Sequence, residues 1–458
     1  MTLPQGGRGQ RRPINPAMIL AVGFLIIILT GTGLLMLPFA AEPGVTITPL
    51  QALFTATSAT CVTGLMVVDT AAAYSLFGEM VILFLIQLGG LGFMLFATSL
   101  LVLTGRRISL RNRILIHETM SMPGLSGTVR NTLRFVLIAF GVELAGALLL
   151  AVHFVPRLGP AKGAYFAVFH AISAFCNAGI DLFSTANSLT TYVDDPLVLL
   201  TIAGLLILGG LGFAVLADVL DKGRHTRRYA LHTKIALVTT GVLILSGTLY
   251  FALAEWNNPA TLGAEGARTA DKLLGAFFQA VTPRTAGFYA VQQGGLHDAS
   301  KAVTTLLMFI GASPASTGGG VKTTTVFVLV AIIRSVLTGR DDVNAFNKRL
   351  PLVLIRTALS IFLLYLTLLF VGGVLMGLVE QPRGFAMIDL VFEEASALGT
   401  VGLSAANTPL LTHASQLWLI LLMYFGRVGP LTMMLSITSR HAQRKNTLRY
   451  PEEGIIVG

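Results

Sequence analysis

The sequence predicts an all-α integral membrane protein in which eight spanning helices accompany four re-entrant loops. Composition, apolar runs and an internal repeat carry this prediction. Hydrophobic residues make up 54% of the 458 residues and charged residues only 12%, whereas soluble globular chains carry about 25% charged residues. Mean hydropathy is +0.76, so the bilayer is the expected main solvent. Eight apolar runs are long enough to cross a hydrocarbon core about 30 Å thick, and they occupy residues 17–39, 78–103, 133–155, 196–218, 232–254, 302–338, 352–378 and 415–438.

Most of the 32 Lys and Arg residues lie in alternate connections between these runs. Because cationic loops are retained on the cytoplasmic side, the tails 1–16 and 439–458 are both predicted to be cytoplasmic in a multi-pass protein of the inner (plasma) membrane. Retention and anionic lipid explain the net charge of +10, so nucleic acid is not predicted as a partner. The basic connections are 104–134, 222–234, 334–356 and 440–449.

An internal repeat lies in the connections of the opposite face, which are poor in Lys and Arg. Four strings align on a glycine, and the glycines are separated by 115, 108 and 115 residues. Phenylalanine stands ten positions before each glycine, at Phe54, Phe169, Phe277 and Phe392, and a large apolar residue follows it. Three strings carry a serine six positions before the glycine, and the third has Val281 there. The strings are FTATSATCVTGL from Phe54, FHAISAFCNAGI from Phe169, FQAVTPRTAGFY from Phe278 and FEEASALGTVGL from Phe392.

Each repeat is a span, a segment of about 12 residues too short to cross, a glycine turn and a second span. Irregular backbone at membrane depth is tolerated only where it is buried in protein or lines a watery cavity, so four such loops can converge on one axis. Ordinary external loops are the alternative for a single string, but a fourfold recurrence favours re-entrant loops. The predicted repeats are residues 17–103, 133–218, 230–338 and 352–438.

The chemistry of the four turns suits a dehydrated monovalent cation. Rings of backbone carbonyls can replace the hydration shell of potassium, and glycine permits the positive φ that turns carbonyls toward one axis. A calcium-type filter would instead carry a ring of carboxylates. Asp181, Glu393 and Glu394 lie near the turns and are interpreted either as an acidic mouth or as packing partners of the short helices. The predicted filter triplets are Val62-Thr63-Gly64, Asn177-Ala178-Gly179, Thr285-Ala286-Gly287 and Thr400-Val401-Gly402.

Residues 15–458 resemble the Ktr/Trk/HKT superfamily of potassium transporters, through the four strings above and through the ending Tyr450–Gly458. The chain is most similar to the KtrB-like branch, because it begins directly with the first span. The resemblance implies four M1-P-M2 units around one pseudo-fourfold pore, with potassium as the transported ion and sodium as a candidate activator. It also implies a homodimer and a cytoplasmic ring of RCK/KTN-type, KtrA-like regulatory subunits that dock on the basic loops 104–134, 219–234 and 335–350, which alternatively serve only to set topology.

The resemblance further implies a gate below the filter. The sixth run is interrupted at residues 311–325, where three successive glycines, Gly318, Gly319 and Gly320, each disfavour helix by roughly 1 kcal/mol relative to Ala. The alternative is a long cytoplasmic connection. Lys322 in this segment is either a gate residue or a packing residue.

Arg427 lies in the last span, where a charged residue costs at least ~2.5 kcal/mol on insertion scales and usually faces a cavity or a partner. The resemblance places it at the gate, where it would bond loop carbonyls and repel cations. Snorkelling to the membrane surface is the alternative.

The sequence therefore predicts gated potassium uptake as the ion-translocating subunit of a Ktr-type system. A sodium- or proton-coupled symporter of the same superfamily is the alternative, for which Glu143 is the one mid-span carboxylate; it is also interpreted as a helix-helix hydrogen-bonding partner. An enzyme is not predicted, because the sequence has no nucleophile elbow or zinc-protease motif, and His153 and His170 stand apart from any nucleophile pattern. Cys61 and Cys176 do not form a metal-ligand pattern, and no nucleotide-binding loop predicts an organic cofactor on this chain.

Overall fold

A computed structural model describes residues 16–92, 128–183 and 188–429 of the chain. Within these residues the protein is mostly α-helical, as predicted. Residues 1–15 and 93–127 and the chain from residue 430 onward lie outside the described part, together with the predicted ends of the second and eighth runs and the Tyr450–Gly458 ending. The helices follow one another as α1 (Pro16–Leu35), α2 (Pro49–Cys61), α3 (Thr70–Ala73), α4 (Leu76–Leu91), α5 (Thr128–Leu158), α6 (Pro160–Phe175), α7 (Pro196–Leu211), α8 (Phe213–Lys222), α9 (Leu231–Ala254), α10 (Thr269–Val281), α11 (Asp298–Phe309), α12 (Thr323–Leu337), α13 (Leu352–Glu380), α14 (Met387–Gly399) and α15 (His413–Val428).

Four of the helices in the described part are long and apolar enough to cross a membrane by themselves. They coincide with the first span predicted for each repeat. Large apolar side chains on them face outward, with Leu245, Leu253 and Phe370 more than 70% exposed, which fits a lipid-facing surface rather than a watery one. The spans run over Met18–Leu35, Asn131–Leu158, Leu231–Ala254 and Leu352–Arg383.

A short buried helix follows each of these long helices: α2, α6, α10 and α14. Three of them have 13 residues, which is about 20 Å of helix and too little to cross. The Thr48 side chain and Gln51 cap α2 reciprocally, and Pro160 occupies the first position of α6, where its missing N–H is not needed. The short helices therefore end inside the protein, where their C-termini present the four glycine turns.

The predicted span 196–218 is broken rather than continuous. α7 and α8 meet at an angle of 98°, because Gly212 between them has φ +94°. α15 ends at Val428 before Gly429, which has φ +88°, and the rest of the predicted span 415–438 lies outside the described residues. The sixth run leaves helix after Phe309 and resumes at Thr323, so the non-helical segment is residues 310–322 and the predicted Thr323–Thr325 already belong to α12.

The only strands in the described part form a small hairpin between α12 and α13. Asn344 of β1 (Asn344–Ala345) pairs with Arg349 of β2 (Lys348–Arg349) in antiparallel register. Buried Ala345 packs with Ile235 and Val328, which joins the hairpin to the starts of α9 and α12.

Candidate functional site

The four glycine turns share one backbone conformation. Each filter glycine has positive φ, and so does the residue two positions before it. Three of those residues, Val62, Thr285 and Thr400, are β-branched, for which a left-handed backbone is a genuine outlier. Strained residues of this kind persist only where the surroundings fix them, and they cluster at functional sites.

The four turns close into a ring. A methyl group placed on Gly64 would lie 2.5 Å from Ala178 O, and one on Gly179 would lie 2.5 Å from Gly287 Cα. A methyl group on Gly287 would lie 2.7 Å from Val401 O, and one on Gly402 would lie 2.8 Å from Gly64 Cα. Each turn thus touches the next in chain order and the last touches the first, so no side chain fits at the four glycines.

The recurring serines hold the turns to their own helices. Ser58 Oγ accepts a hydrogen bond from Gly64 N at 3.0 Å, and Ser396 Oγ accepts one from Gly402 N at 3.0 Å. In the second repeat Ser173 Oγ donates to Ile180 O at 2.6 Å. The serine is therefore a fixed part of the turn, because its loss would leave a buried polar group unpaired.

The third turn uses Thr282 where the others use serine. Its hydroxyl donates to Phe288 O, and Ala286 N bonds Thr282 O just as Thr63 N bonds Ser58 O. This turn is one residue shorter, so the buried phenylalanine is Phe278 while Phe277 is only half-buried. The alignment of Phe277 and Val281 with the other repeats is thus wrong by one residue. The constant Phe-to-Ser/Thr spacing of four would have shown it.

Unpaired oxygens line the ring. The hydroxyls of Thr285 and Thr400, on the side of the ring that faces Gly318 and Gly319, are buried and have no hydrogen-bond partner among the described residues. A buried hydroxyl without a partner costs about 1–3 kcal/mol, so such groups call for a ligand or a water. Together with the turn carbonyls they form an oxygen-rich centre of the kind a hard cation prefers.

The segment 310–322, called the glycine loop below, lies directly against this ring. Methyl groups placed on Gly318 and Gly319 would collide with the hydroxyls of Thr285 and Thr400 respectively. Gly320 has φ +71°. Gly318 and Gly319 are thus required because the loop approaches the ring too closely for a side chain, and Gly320 is required because of its backbone conformation.

Contacts with the second repeat fix one side of the glycine loop. Thr317 Oγ1 donates to Asn177 Oδ1 at 2.8 Å. Backbone bonds run from Ser313 N to Gly210 O at 3.0 Å and from Phe213 N to Ala315 O at 2.9 Å. Asn177 therefore departs from the Thr or Val of the other triplets because its amide touches this loop.

Arg427 fixes the other side of the glycine loop. Its guanidinium donates to Thr317 O and to Gly89 O, and also to Gly90 O at 3.4 Å. One side chain thus bridges α15, the glycine loop and the end of α4, which is a buried bonding role rather than snorkelling. Lys322 is partly buried, and its Nζ donates to Gly318 O at 2.7 Å.

The acidic residues near the turns are buried and do not form an exposed mouth. Glu393 accepts bonds from Ser404 Oγ, from Ala406 N at 3.1 Å and from Thr408 Oγ1 at 3.1 Å. Asp181 accepts a bond from Phe183 N at 3.1 Å. Both carboxylates brace the external connection that follows a turn. Glu394 is also buried, and neither of its oxygens has a hydrogen-bond partner in the described part of the chain.

Glu143 bonds a neighbouring helix. Gln87 Nε2 donates to its two carboxylate oxygens at 3.1 and 3.2 Å, joining α4 to α5 within the buried interior. Cys61 and Cys176 are buried and free. Among the described residues no group of three or more His, Cys, Asp and Glu side chains is arranged to hold a metal.

Three glycines that sequence reasoning missed pack the ring from outside. Methyl groups on Gly89, Gly209 and Gly426 would collide with the carbonyl oxygens of Thr60, Phe175 and Leu398, each four residues before a filter glycine. The string Leu-Gly-Gly-Leu-Gly-Phe occurs at 88–93 and again at 208–213. This recurring string was a further signal in the sequence. Gly426 of the fourth repeat corresponds to Gly89 and Gly209, so Arg427 occupies the position that is Gly90 in the first repeat and Gly210 in the second.

The fold and its ring of loops define a polytopic membrane transport protein. A family model described as TrkH, cation transport protein, matches residues 8–449, and the chain belongs to that family. It is 40% identical to the Ktr system potassium uptake protein B of Bacillus subtilis, over 97% of each chain. It is 37% identical to the potassium/sodium uptake protein NtpJ of Enterococcus hirae, over 98% of each chain.

A solved structure shows the same fold. The potassium transporter TrkH from Vibrio parahaemolyticus superposes with a TM-score of 0.73, over 94% of this chain and 86% of that one, at 18% identity. The family prediction is thereby confirmed, as is the prediction of a membrane-embedded cation transporter rather than an enzyme.

Proposed function

We propose that the chain is the potassium-translocating subunit of a Ktr-type uptake system, built as four M1-P-M2 repeats around one pseudo-fourfold pore. The observation that carries the proposal is the closed contact ring of Gly64, Gly179, Gly287 and Gly402, with a left-handed residue two positions before each. Such turns aim carbonyls at a common centre. The printed names of the B. subtilis and E. hirae relatives support potassium as the substrate.

The proposed filter consists of the twelve triplet residues. Backbone carbonyls supply most ligands, and the free hydroxyls of Thr285 and Thr400 add oxygens at its inner end. The four triplets differ in side chain, yet selectivity for potassium depends mainly on carbonyl number and spacing. Val62 and Asn177 can therefore occupy positions that are threonine elsewhere.

The proposed gate is the glycine loop with Arg427 and Lys322. The loop lies against the filter hydroxyls and is buried, so an ion leaving the filter would meet it next. Arg427 adds a positive charge beside the path, which opposes cation passage at low dielectric. An apolar cavity of about 590 Å³ lies beside Thr324, Thr325 and Val328, on the helix that follows the loop, and a shift of this helix would move the loop with it.

The proposed setting is the cell membrane with both termini cytoplasmic, as the Lys and Arg distribution predicts. A homodimer and a cytoplasmic RCK/KTN-type ring belong to the same proposal. The words "Ktr system" in a relative's name support a multi-component assembly. Sodium stays a candidate activator, supported by the potassium/sodium name of the E. hirae relative.

A coupled symporter is the second candidate function. Its sequence candidate, Glu143, bonds Gln87 within a helix interface, which favours a structural role. Flux without a coupling gradient separates the two functions, because a gated pore conducts potassium down its own gradient alone.

Potassium uptake in a bacterial strain that lacks its own uptake systems tests the proposal. Expression of the chain with its regulatory ring is expected to restore growth at low external potassium, and purified protein in liposomes is expected to pass rubidium as a tracer. With sodium at one saturating concentration on both sides, so that any activation by sodium is constant, addition of a proton gradient or of a further sodium gradient should leave the initial tracer rate unchanged. Surface-localised protein that restores neither growth nor flux would contradict the proposal.

A further inference from the structure

A polar cavity lies far from the filter, at the end of α12 that is predicted to be cytoplasmic. Its volume is about 330 Å³, and its walls are the last turns of α12 and the β1–β2 hairpin. Neither the filter nor the gate uses it. The polar side chains that matter here are Arg334, Ser335, Thr338, Arg340, Asn344 and Asn347.

The walls of this cavity are held in place. Ser335 Oγ donates to Arg340 O at 2.7 Å and to Asp342 O at 3.2 Å. Phe346 and Asn347 both have positive φ, as a two-residue hairpin turn of type I′ requires, and the Phe346 ring stacks on Phe327 with 6.1 Å between centroids. The hairpin is thus fixed on α12, and a ligand would meet a formed site.

The lining of the cavity carries a net positive charge. Neither Arg334 nor Arg340 forms an ion pair with another described residue, whereas the one acidic side chain in the lining, Asp342, pairs with Arg349 at 2.9 Å. Two free guanidinium groups beside the amides of Asn344 and Asn347 suit a phosphate, which guanidinium binds bidentately.

Lipid, rather than a soluble anion, is favoured by the neighbouring surface. Val330 and Leu337 are 59% and 82% exposed, and residues three and four apart share a helix face, so Arg334 stands on a stripe of outward-facing apolar side chains. Ile333 is 59% exposed beside it. Anionic lipids are concentrated in the cytoplasmic leaflet and attract basic groups next to membrane spans.

We propose that this cavity binds the phosphate of an anionic phospholipid headgroup through Arg334 and Arg340, with the acyl chains along Val330 and Ile333. α12 starts at Thr323, directly after Lys322, and ends at this cavity. A bound lipid therefore fixes the depth of the helix that carries the gate. The cytoplasmic placement of the site, and its link to the gate, rest on the proposed function.

Lipid retention by the full-length protein tests the inference. Native mass spectrometry is performed with titrated phosphatidylglycerol or phosphatidylcholine on the wild type and on the double variant Arg334→Gln/Arg340→Gln. The double variant is expected to bind phosphatidylglycerol at least about tenfold more weakly at one site, while phosphatidylcholine binding stays unchanged. Lys348→Gln is the matched control, since it removes a charge from the same hairpin outside the cavity lining, and it should stay within about twofold of the wild type.

Parallel titrations with inorganic phosphate, ATP and the regulatory subunit identify the other occupants. Equal phosphatidylglycerol retention by all three proteins would overturn the inference. It would also be overturned if the double variant lost binding of ATP or of the regulatory subunit while it kept phosphatidylglycerol. Tracer flux in phosphatidylcholine liposomes is the second readout and should be the same for all three proteins. Loss of phosphatidylglycerol binding in the double variant, with flux equal to that of the wild type, supports the site. If the proposed function is wrong, the wild type itself shows no flux.

Discussion

The filter turns and the glycine loop lie against each other and both are made of small residues, yet they are held in different ways. Each turn is bonded to its own short helix: Thr63 N bonds Ser58 O, and Ala286 N bonds Thr282 O. The glycine loop has internal bonds, such as that from Gly311 N to Val321 O, but it is also bonded to other repeats, through Asn177 of the second and Arg427 of the fourth. The turns are therefore bonded to their own helices, whereas the position of the loop depends in addition on how the repeats are assembled.

This difference separates selectivity from gating. A turn held by its own helix keeps its shape when neighbouring helices shift, as a selectivity filter must. A loop held from several sides can be released by a small shift of any of them, because losing about 1.4 kcal/mol changes an equilibrium tenfold. The predictions below test that separation, starting with the largest expected effect.

Gly402→Ser should damage selectivity most. Gly402 has φ +96°, and a side chain there would collide with Gly64 and the Thr63 carbonyl of the next turn. Because the ring must open to admit it, the carbonyl spacing changes and potassium over sodium selectivity should fall by about tenfold or more, equivalent to about 1.4 kcal/mol. Competition of sodium with rubidium tracer flux in liposomes measures the ratio.

Gly384→Ser is a matched control for backbone strain. Gly384 has the same φ of +96° but has no atom within 4 Å of the added side chain, and it is exposed. Its selectivity should equal that of the wild type. An unchanged ratio in Gly402→Ser would remove Gly402 from the filter, and an equal loss in both variants would assign the effect to strain alone.

Arg427→Ala should open the gate. Hydrogen bonds made by a charged group contribute about 1.5–3 kcal/mol each, and Arg427 bridges the glycine loop to the end of α4. Loss of even one such bond is expected to raise tracer flux about tenfold when the regulatory subunit is absent. Selectivity should stay unchanged, because the turns keep their own bonds.

Arg427→Lys separates the two ways in which this residue could act. Lysine keeps the charge but lacks the planar fork that bridges two carbonyls. If Arg427→Lys shows a flux as high as Arg427→Ala, the hydrogen bonds of Arg427 keep the gate closed. If Arg427→Lys shows wild-type flux, the positive charge keeps it closed. Wild-type flux in both variants would exclude Arg427 from the gate.

Sequence reasoning found those parts of the protein that depend on periodicity. The apolar runs located the four long helices, and the recurring strings located turns that meet in space. Three successive glycines predicted the break in the sixth run. Each of these features is specified by residues close together in the chain, and its physical cause can therefore be derived without coordinates.

Features that depend on distant residues were not predictable in this way. Bonds from Arg427 to Gly89 and from Thr317 to Asn177 join residues 338 and 140 positions apart. The acidic residues near the turns looked equally suited to an exposed mouth or to packing, because burial of Glu393 depends on Thr408 in the following connection. The alignment of the third string is off by one residue because it assumes a constant distance from phenylalanine to glycine. The constant distance is the one from the buried phenylalanine to the Ser or Thr four residues later, and the third turn is one residue shorter after that point.

Ser396→Ala should have the smallest effect. It leaves Gly402 N without its side-chain acceptor, while the bond from Val401 N to Ser396 O is kept. We expect the free energy of unfolding to fall by about 1 kcal/mol and selectivity to change less than twofold, because the backbone bond still shapes the turn. Thermal unfolding in detergent and competitive tracer flux measure the two effects.

Ser360→Ala is the control for this change. Ser360 is exposed on α13 and bonds only Arg356 O within its own helix, so the free energy of unfolding should change by less than about 0.5 kcal/mol. The hydroxyl bonds different partners in different turns, since Thr282 donates to Phe288 O whereas Ser396 accepts from Gly402 N, while a backbone bond to the carbonyl of the Ser or Thr recurs, which indicates that the backbone shape is the constant feature of the ring. A loss of selectivity in Ser396→Ala as large as that in Gly402→Ser would contradict that view and would make the side-chain hydroxyl, rather than the helix-bound backbone, the element that sets the filter.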